Sequence, residues 1–321
     1  MKKLFTLLTL CFTIGLFAQN DVTVKINHKF GTEDFAMNSP VTCYDGYDLK
    51  VTRLQYYLNN FIITHDGGMV TETTEHFLIN SNNLAELNLG SFDITSVENI
   101  SFSVGVHPDR NHLDPSSYSS THPLAPQNPS MHWGWTAGYR FIALEGKAGA
   151  NVNTTYEIHA LGDQNYKTVS MPIEGNLDGT SLTISIDADY LGMFNNGLNV
   201  SSGVITHGET GNAVKLLNNF ETEVFFPEGE VPVGTIDPTF EGKFSIQPNP
   251  SFDKNTNVIL NLPTADNYQL TLTDLTGRII QTQQVSSGEQ NLELTSNHSG
   301  VFFIHLWKDG EPVAFEKWIV K

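Results

Sequence analysis

Short segments in which apolar and polar residues alternate recur along most of the chain. They include 22–26 (VTVKI), 57–63 (YLNNFII), 100–104 (ISFSV) and 182–186 (LTISI), with Gly, Asn, Asp and Pro between them. Successive side chains of a strand point to opposite faces, so this alternation predicts antiparallel β-structure. Apolar residues follow a helical spacing clearly only at 212–220 (NAVKLLNNF). We therefore expect a mainly β protein that begins with an antiparallel β-sandwich domain.

The alternation stops at residues 227–243 (PEGEVPVGTIDPTFEGK), which are rich in Pro, Gly and Glu. That composition predicts a linker. Beyond it the pattern returns, with apolar segments at 258–260, 268–273, 277–280 and 301–306. Residues 244–321 are numerous enough to fold alone, and they predict a small C-terminal immunoglobulin-like β-sandwich.

The N-terminus has the composition of a secretory signal peptide. Lys2 and Lys3 precede an apolar stretch at 4–17, and Ala18 offers a small residue near the expected cleavage point. We therefore expect residues 1–18 to be removed and the protein to be exported. No later segment reaches the roughly 18 apolar residues that a membrane-spanning helix needs.

The net charge and the cysteine content limit which partners and which covalent links the protein can have. The formal net charge of −18 argues against a nucleic-acid partner, because such binding relies on basic contacts to phosphate. Cys11 falls within the predicted signal peptide, so the exported chain would carry only Cys43 and no internal disulfide. A lone cysteine is either buried and inert or a thiol that binds a metal or a partner, and burial is the commoner case.

Residues 131–139 (MHWGWTAGY) concentrate the unusual side chains of the chain. They contain Trp133 and Trp135, half of the four tryptophans. In a strand these two indoles would lie on the same face. They could be core residues, which composition alone favours, or line a sugar-binding face, or pack beside a metal.

The preceding segment offers a second, weaker metal candidate. Asp109, Asn111 and Asp114 could bind calcium through oxygen, but their spacing is not that of a complete EF-hand loop. A turn held by side-chain hydrogen bonds is the favoured interpretation. The Pro- and Ser-rich residues 114–130 predict a long loop that covers a site, docks a modifying enzyme or is simply exposed. The catalytic motifs of hydrolases, nucleotide-binding enzymes and zinc proteases do not occur, so we expect no enzyme activity.

The C-terminal region resembles the type A sorting domain of the type IX secretion system of Bacteroidetes. The resemblance rests on 248–251 (PNPS), 274–278 (DLTGR), 300–302 (GVF) and 317–321 (KWIVK). Gln247 departs from the aromatic residue that usually precedes the PNP element. The resemblance implies passage through the periplasm, recognition by the type IX secretion machinery, and delivery to the cell surface or the medium.

Residues 20–226 resemble the MbnP family of periplasmic copper-binding proteins. The signature "MyWsWnsGYkfi.lEG" is matched at Met131, Trp133, Trp135, Gly138, Tyr139, Glu145 and Gly146. The other matching segments, in chain order, are 26–31 (INHKFG), 51–60 (VTRLQYYLNN), 100–106 (ISFSVGV) with Asn111, His159 with Gly162, and 206–207 (TH) followed by Ala213 and 219–220 (NF).

This resemblance implies copper bound by imidazoles, together with a tryptophan that a MauG-like di-haem enzyme has oxidised to kynurenine. His28 and His207 are the first candidate ligands near the 131–139 segment, and His159 is the next. Trp133 or Trp135 is the candidate for modification. His132, which lies off the motif, and Cys43 are further candidate donors.

Two functions therefore remain open at the level of sequence. The first is an exported copper-binding protein that carries or scavenges copper without turning over a substrate. The alternative is a cell-surface β-sandwich module in which Trp133, Trp135 and Tyr139 bind carbohydrate or protein without metal.

Overall fold

The computed structural model describes residues 19–43, 46–230, 242–263, 267–274, 278–308 and 311–321. The chain divides into two compact units, Met1–Val231 and Pro232–Lys321. The predicted signal peptide at 1–18 lies outside the described residues, as do residues 231–241 of the predicted linker. Residues 228–230 at the start of that linker are described with the first unit, where the Gly229 amide donates to Asp187 Oδ2.

The first unit is built from fifteen described strands and two α-helices. In chain order these are β1 (Asn20–Phe30), β2 (Glu33–Asp34), β3 (Val41–Thr42), β4 (Asp48–His65), β5 (Met69–Thr73), β6 (Phe77–Asn80), β7 (Ala85–Phe92), β8 (Val97–Val104), α1 (Pro108–Asn111), β9 (Ile142–Ala148), β10 (Thr154–Ala160), β11 (Lys167–Pro172), β12 (Asn176–Asp178), β13 (Ser181–Asp189), β14 (Val204–Gly208), α2 (Asn212–Thr222) and β15 (Phe225–Pro227). The structure confirms the predicted mainly β fold, and the predicted helix at 212–220 forms α2.

The strands form a six-stranded and a nine-stranded sheet. The smaller sheet has the order β12-β13-β1-β2, with β7 also on β1 and β15 on β13. The larger sheet has the order β11-β8-β4-β9-β10-β14, with β3, β5 and β6 also paired to β4. Most pairs are antiparallel as expected, but β1 pairs with β13 and β10 with β14 in parallel. The parallel pair of β10 and β14 positions the candidate site described below.

One hydrophobic core joins the inner faces of the two sheets. Ile26 and Ile184 of the smaller sheet and Leu54 and Tyr56 of the larger one belong to the same buried cluster. Because alternate residues of each strand face inward, the period-two pattern of the sequence delivers a continuous apolar layer. Helix α2 adds Phe220, whose ring packs edge-on to Tyr56 at 5.1 Å between centroids.

The 18-residue strand β4 is interrupted by a bulge. Its register with β8 shifts between Asn59 and Ile62, and Asn60 has a left-handed φ of 53°. A bulge turns the local side chains to new directions and recurs next to binding sites. Asn59 and Asn60 consequently line a cavity on the first unit.

The second unit has its own core between two sheets. Its strands are β16 (Lys243–Gln247), β17 (Asn255–Leu262), β18 (Tyr268–Asp274), β19 (Ile279–Val285), β20 (Gly288–Thr295), β21 (Gly300–Lys308) and β22 (Glu311–Val320). They form the sheets β16-β17-β20 and β19-β18-β21-β22. Trp318 is fully buried in this core, and its indole nitrogen donates to Ser251 Oγ at 2.9 Å. No helix in the described parts of the chain is long and apolar enough to cross a membrane.

Candidate metal centre

Residues 131–140 form a loop and not the strand that the sequence suggested. A turn occupies 135–137, and an isolated bridge joins His132 to Tyr139. Gly134 and Gly138 have φ values of 122° and 74°, which side-chain-bearing residues rarely adopt, so the chain turns here. Trp133 is 41% exposed and Trp135 is 71% exposed, which rules out the interpretation of the two indoles as core residues.

The buried side-chain amide of Asn111 holds this loop in place. The Asn111 carboxamide accepts a hydrogen bond from the Tyr139 backbone N–H at 2.8 Å and donates one to Asp163 at 2.7 Å. The Tyr139 hydroxyl donates to the Leu124 carbonyl at 2.6 Å, and its ring is buried. Tyr139 therefore holds the loop in place and contributes nothing to an exposed binding face. His112 adds a further contact, with Nδ1 at 2.9 Å from the Trp135 carbonyl oxygen.

Two histidines meet on the outer face of the larger sheet. In the parallel register of β10 and β14, His159 lies directly beside His207. Their rings are stacked, with centroids 4.5 Å apart and planes 12° from parallel. Glu157 lies two residues before His159 and therefore on the same face. One ligand atom from each of Glu157, His159 and His207 lies within 4.8 Å of the other two.

Carboxylates connect these imidazoles. His207 Nε2 lies 2.8 Å from Glu157 Oε1, and His159 Nε2 lies 3.0 Å from Glu145 Oε1. Hydrogen bonds from His159 and from Arg53 outweigh burial and lower the pKa of the Glu145 carboxyl to about 2. Glu145 is thus a carboxylate at neutral pH, and it holds the Nε2 edge of His159 in place.

Arg140 and Trp133 close the group from the loop side. The Arg140 guanidinium lies 4.2 Å from the centroid of the Trp133 ring, and its Nε donates to His159 Nδ1 at 3.2 Å. The Trp133 ring lies 4.9 Å from the His207 ring and 5.7 Å from the His159 ring, between centroids. The structure therefore brings together three predicted site residues: Trp133, His159 and His207.

His28 is not part of this group. It lies on β1 of the other sheet, where Nδ1 is 2.6 Å from the Tyr190 hydroxyl and Nε2 is 2.9 Å from the Asn83 carbonyl oxygen. Burial lowers the pKa of the His28 imidazole, although the bond to Asn83 opposes this. Both ring nitrogens are engaged within the protein, so the geometry does not pair His28 with His207 as the motif had suggested.

The two further candidate donors also lie elsewhere. Cys43 is buried in the hydrophobic core of the first unit. His132 packs edge-on against Tyr139 at 4.8 Å between ring centroids. Neither belongs to the group of His, Cys, Asp and Glu ligand atoms that the described residues bring together.

Two of the predicted calcium ligands, Asn111 and Asp114, each accept a hydrogen bond from a backbone N–H. Asn111 holds Tyr139, as described above, and Asp114 accepts a hydrogen bond from the Ser116 N–H at 2.9 Å. Asp109 is exposed within α1. The favoured turn, held by a side-chain hydrogen bond, is therefore present at Asp114.

Sequence reasoning missed four charged residues of the site. Glu145 and Arg53 lie in segments that match the family but carried no predicted role, and Glu157 and Arg140 were not among the predicted site residues. A signal existed for Glu157, because it precedes His159 by two residues in an alternating segment and so had to share its face. The contribution of Arg53 depends on its pairing with Glu145 across β4 and β9, which spacing alone does not predict.

Comparisons with known proteins identify both regions. Residues 19–209 match the family model MbnP, and residues 245–321 match the model of the secretion system C-terminal sorting domain. Among solved structures, MbnP from Methylosinus trichosporium is 16% identical with a TM-score of 0.43, over 60% of this chain and 82% of that one. The BSP domain of a biofilm associated protein is 10% identical with a TM-score of 0.21, over 96% of this chain and 52% of that one. No curated protein matches the chain.

Proposed function

The chain belongs to the MbnP family, and on that premise we propose that it binds copper at Glu157, His159 and His207. The sorting domain at 245–321 implies interaction with the type IX secretion machinery and export to the cell surface or extracellular space. The protein would carry or scavenge copper there without catalysing a reaction.

The observation that carries this proposal is the convergence of two imidazoles and a carboxylate beneath an indole. Imidazole nitrogen is a good ligand for copper, and two such donors suit the low coordination number of Cu(I). A calcium or magnesium ion would require an oxygen-rich set, which a single carboxylate does not provide. The Trp133 ring at 4.9 Å from His207 would shield the ion from water and present a π-face to its positive charge.

A Cu(I) competition titration of the purified protein under anaerobic, reducing conditions tests the proposal. We expect one ion per chain, and we expect His207→Ala and His159→Ala each to weaken binding by at least about 10-fold, since each removes a ligand. His28→Ala is the matched control, because it removes an imidazole from the other sheet. Unchanged affinity in the His159→Ala/His207→Ala double variant would refute the site, and loss of copper in His28→Ala would restore the pairing suggested by sequence.

The kynurenine step is a separate proposal for Trp133. Indole is a poor metal donor because its nitrogen lone pair belongs to the ring, whereas the opened ring offers an aryl amine and a ketone. Trp133 is partly exposed and adjoins both imidazoles, so a MauG-like di-haem enzyme could reach it in the assembled site. Peptide mass spectrometry of protein from its native host should show the replacement of one carbon by one oxygen at Trp133. The same change confined to Trp135 would contradict this assignment.

A further inference from the structure

A second cluster of histidines surrounds a cavity that shares no residue with the candidate metal centre. His76 precedes β6, His107 caps α1, and His122 belongs to the loop at 114–130. Together with Arg110 they line a cavity of about 330 Å³. Three imidazoles from three separate segments are thus directed to one space.

The bulge of β4 contributes Asn59 and Asn60 to the wall of this cavity. The buried side chain of Asn59 donates to the Gly105 carbonyl at 2.7 Å and accepts a hydrogen bond from the Tyr166 hydroxyl. Its neighbour Asn60 holds the left-handed conformation at the bulge of β4 and also lines the cavity. A bulge interrupts the regular hydrogen-bond ladder and redirects the side chains beside it. Such bulges are common next to functional sites.

Two of the imidazoles are fixed as hydrogen-bond donors. His122 Nδ1 accepts the Leu124 N–H at 3.0 Å, and His107 Nδ1 accepts the Asp109 N–H at 3.3 Å. A neutral imidazole that accepts at one nitrogen carries its proton on the other, so both rings present Nε2–H. Aromatic rings support them, because Tyr118 stacks on His122 at 4.4 Å and Tyr166 packs edge-on to His107 at 5.6 Å.

The third imidazole is fixed as an acceptor. His76 bonds to the Thr74 backbone carbonyl, which places its proton on that side of the ring. Its Nε2 is buried and has no hydrogen-bond partner among the described residues. Burial, followed by repulsion from His122 when that ring is protonated and from Arg110, lowers the pKa of His76 to about 4. At neutral pH the ring is therefore uncharged, with an unused lone pair.

These proton positions argue against a metal ion as the ligand. For His107 and His122 to bind a metal through Nε2, each would need a proton on Nδ1, where each now accepts a backbone N–H. The ligand atoms of the three histidines also form no group within 4.8 Å in the described part of the chain. The three imidazoles and Arg110 thus offer the cavity two N–H donors, a guanidinium and one buried acceptor.

We propose that this cavity binds a small oxyanion that keeps one hydroxyl group, with hydrogen phosphate as the physiological type. Its unprotonated oxygens would accept from His107, His122 and Arg110, and its hydroxyl would donate to His76 Nε2. The carboxylates of Glu75 and Asp109 also line the cavity, on exposed residues. They repel hydrogen phosphate and sulfate equally, because both are dianions. The lone pair of His76 repels only the anion without a proton, so the cavity should discriminate against sulfate.

The test compares phosphate with sulfate on the purified protein by calorimetry at pH 7.5 and constant ionic strength. We expect phosphate to bind with a stoichiometry of one and sulfate to bind at least about 10-fold more weakly, since sulfate would leave a buried acceptor unpaired. His76→Phe should lose this discrimination along with most of the phosphate affinity. His122→Asn keeps an acceptor for the Leu124 N–H and removes only the Nε2–H, so it should weaken phosphate by about 10-fold.

Control measurements separate this site from the copper proposal. Lys25→Gln on β1 of the other sheet removes one positive charge away from the cavity and should leave phosphate binding unchanged. His207→Ala should likewise leave it unchanged, so failure of the copper site and failure of this site give different results. Equal binding of phosphate and sulfate, no phosphate binding, or Zn²⁺ binding that His76→Phe and His122→Asn abolish would each overturn the proposal. The contrast between the two anions decides the question on the unmodified protein even if a variant fails to fold.

Discussion

Arg140 places a fixed positive charge beside the nitrogen atoms that we assign to copper. Its guanidinium rests on the Trp133 ring and its Nε–H occupies the Nδ1 lone pair of His159. While His159 Nδ1 accepts this bond, the proton of the neutral ring stays on Nε2, facing Glu145. Loading a metal therefore requires Arg140 to withdraw from His159.

Arg140→Gln should consequently bind Cu(I) more tightly, by about 3- to 10-fold, because it removes a repelling charge a few ångströms from the ion. The measurement is the same Cu(I) competition titration. Lys147→Gln on β9 is a control that removes one charge from the same sheet, where Lys147 bonds Thr155. Weaker binding in Arg140→Gln would mean that the guanidinium positions Trp133 and His159 more than it competes with the metal.

Gly138 tests how far the site depends on the geometry of its loop. Its φ of 74° is strained for any other residue, and a methyl group there would overlap the Asn111 carboxamide. We expect Gly138→Ala to destabilise the first unit by about 1–3 kcal/mol and to increase the exposure of Trp133, as read by thermal unfolding and tryptophan fluorescence. Gly134 also has a positive φ, of 122°, but open space surrounds a new methyl group there, so the effect of Gly134→Ala should be smaller. Equal effects would show that the contact with Asn111 is unimportant.

At the scale of elements, the positions of strands were predictable and their pairing was not. The segments 22–26, 100–104 and 182–186 fall within β1, β8 and β13, because alternation reflects which side chains are buried. Nothing in the spacing of residues along the chain indicates that β10 and β14 are adjacent and parallel. His159 and His207 meet through that pairing, whereas His28 lies on the other sheet.

The hairpin between β4 and β5 carries a charge-dependent turn. Asp66 accepts hydrogen bonds from Thr95, His65 and Ser96, which outweigh burial and hold the pKa of its carboxyl far below the usual range. Because the pKa is lower in the folded state, this stabilisation is complete above the unfolded value of about 4 and is lost as the pH falls further.

Asp66→Asn should lower the free energy of unfolding at pH 7 by about 1–2 kcal/mol, since a charged acceptor becomes neutral. Asparagine tolerates the left-handed φ of 46° at this position, so the substitution isolates the charge from the backbone conformation. Chemical denaturation at pH 7 and pH 3 measures the effect. The difference between variant and parent should shrink at pH 3, and a difference that stays constant would contradict the role of ionisation.

At the scale of the whole molecule, each unit has a core of its own. The residues that identified the sorting domain by sequence are also those that close its fold: the Asn249 carboxamide accepts from the Ile319 N–H at 2.9 Å and bonds the Lys317 carbonyl. Sequence could therefore identify this domain from short motifs, because the motifs coincide with structural contacts. The candidate metal centre offered no comparable continuity, since its three ligand residues come from β10 and β14 and the adjoining Trp133 from a loop.

Separate cores predict that metal binding and export can be uncoupled. A chain ending at Glu230 keeps every strand of the first unit, so it should fold cooperatively and bind Cu(I) with the affinity of the full protein. In its native host it should accumulate in the periplasm, because it lacks the sorting domain that matches at 245–321. Cell fractionation with copper titration of each fraction measures both properties.

Residues 242–321 fused to an unrelated exported protein form the reciprocal control, which should reach the cell surface or the medium without binding copper. Surface delivery of the truncated chain would show that the first unit carries an export signal of its own.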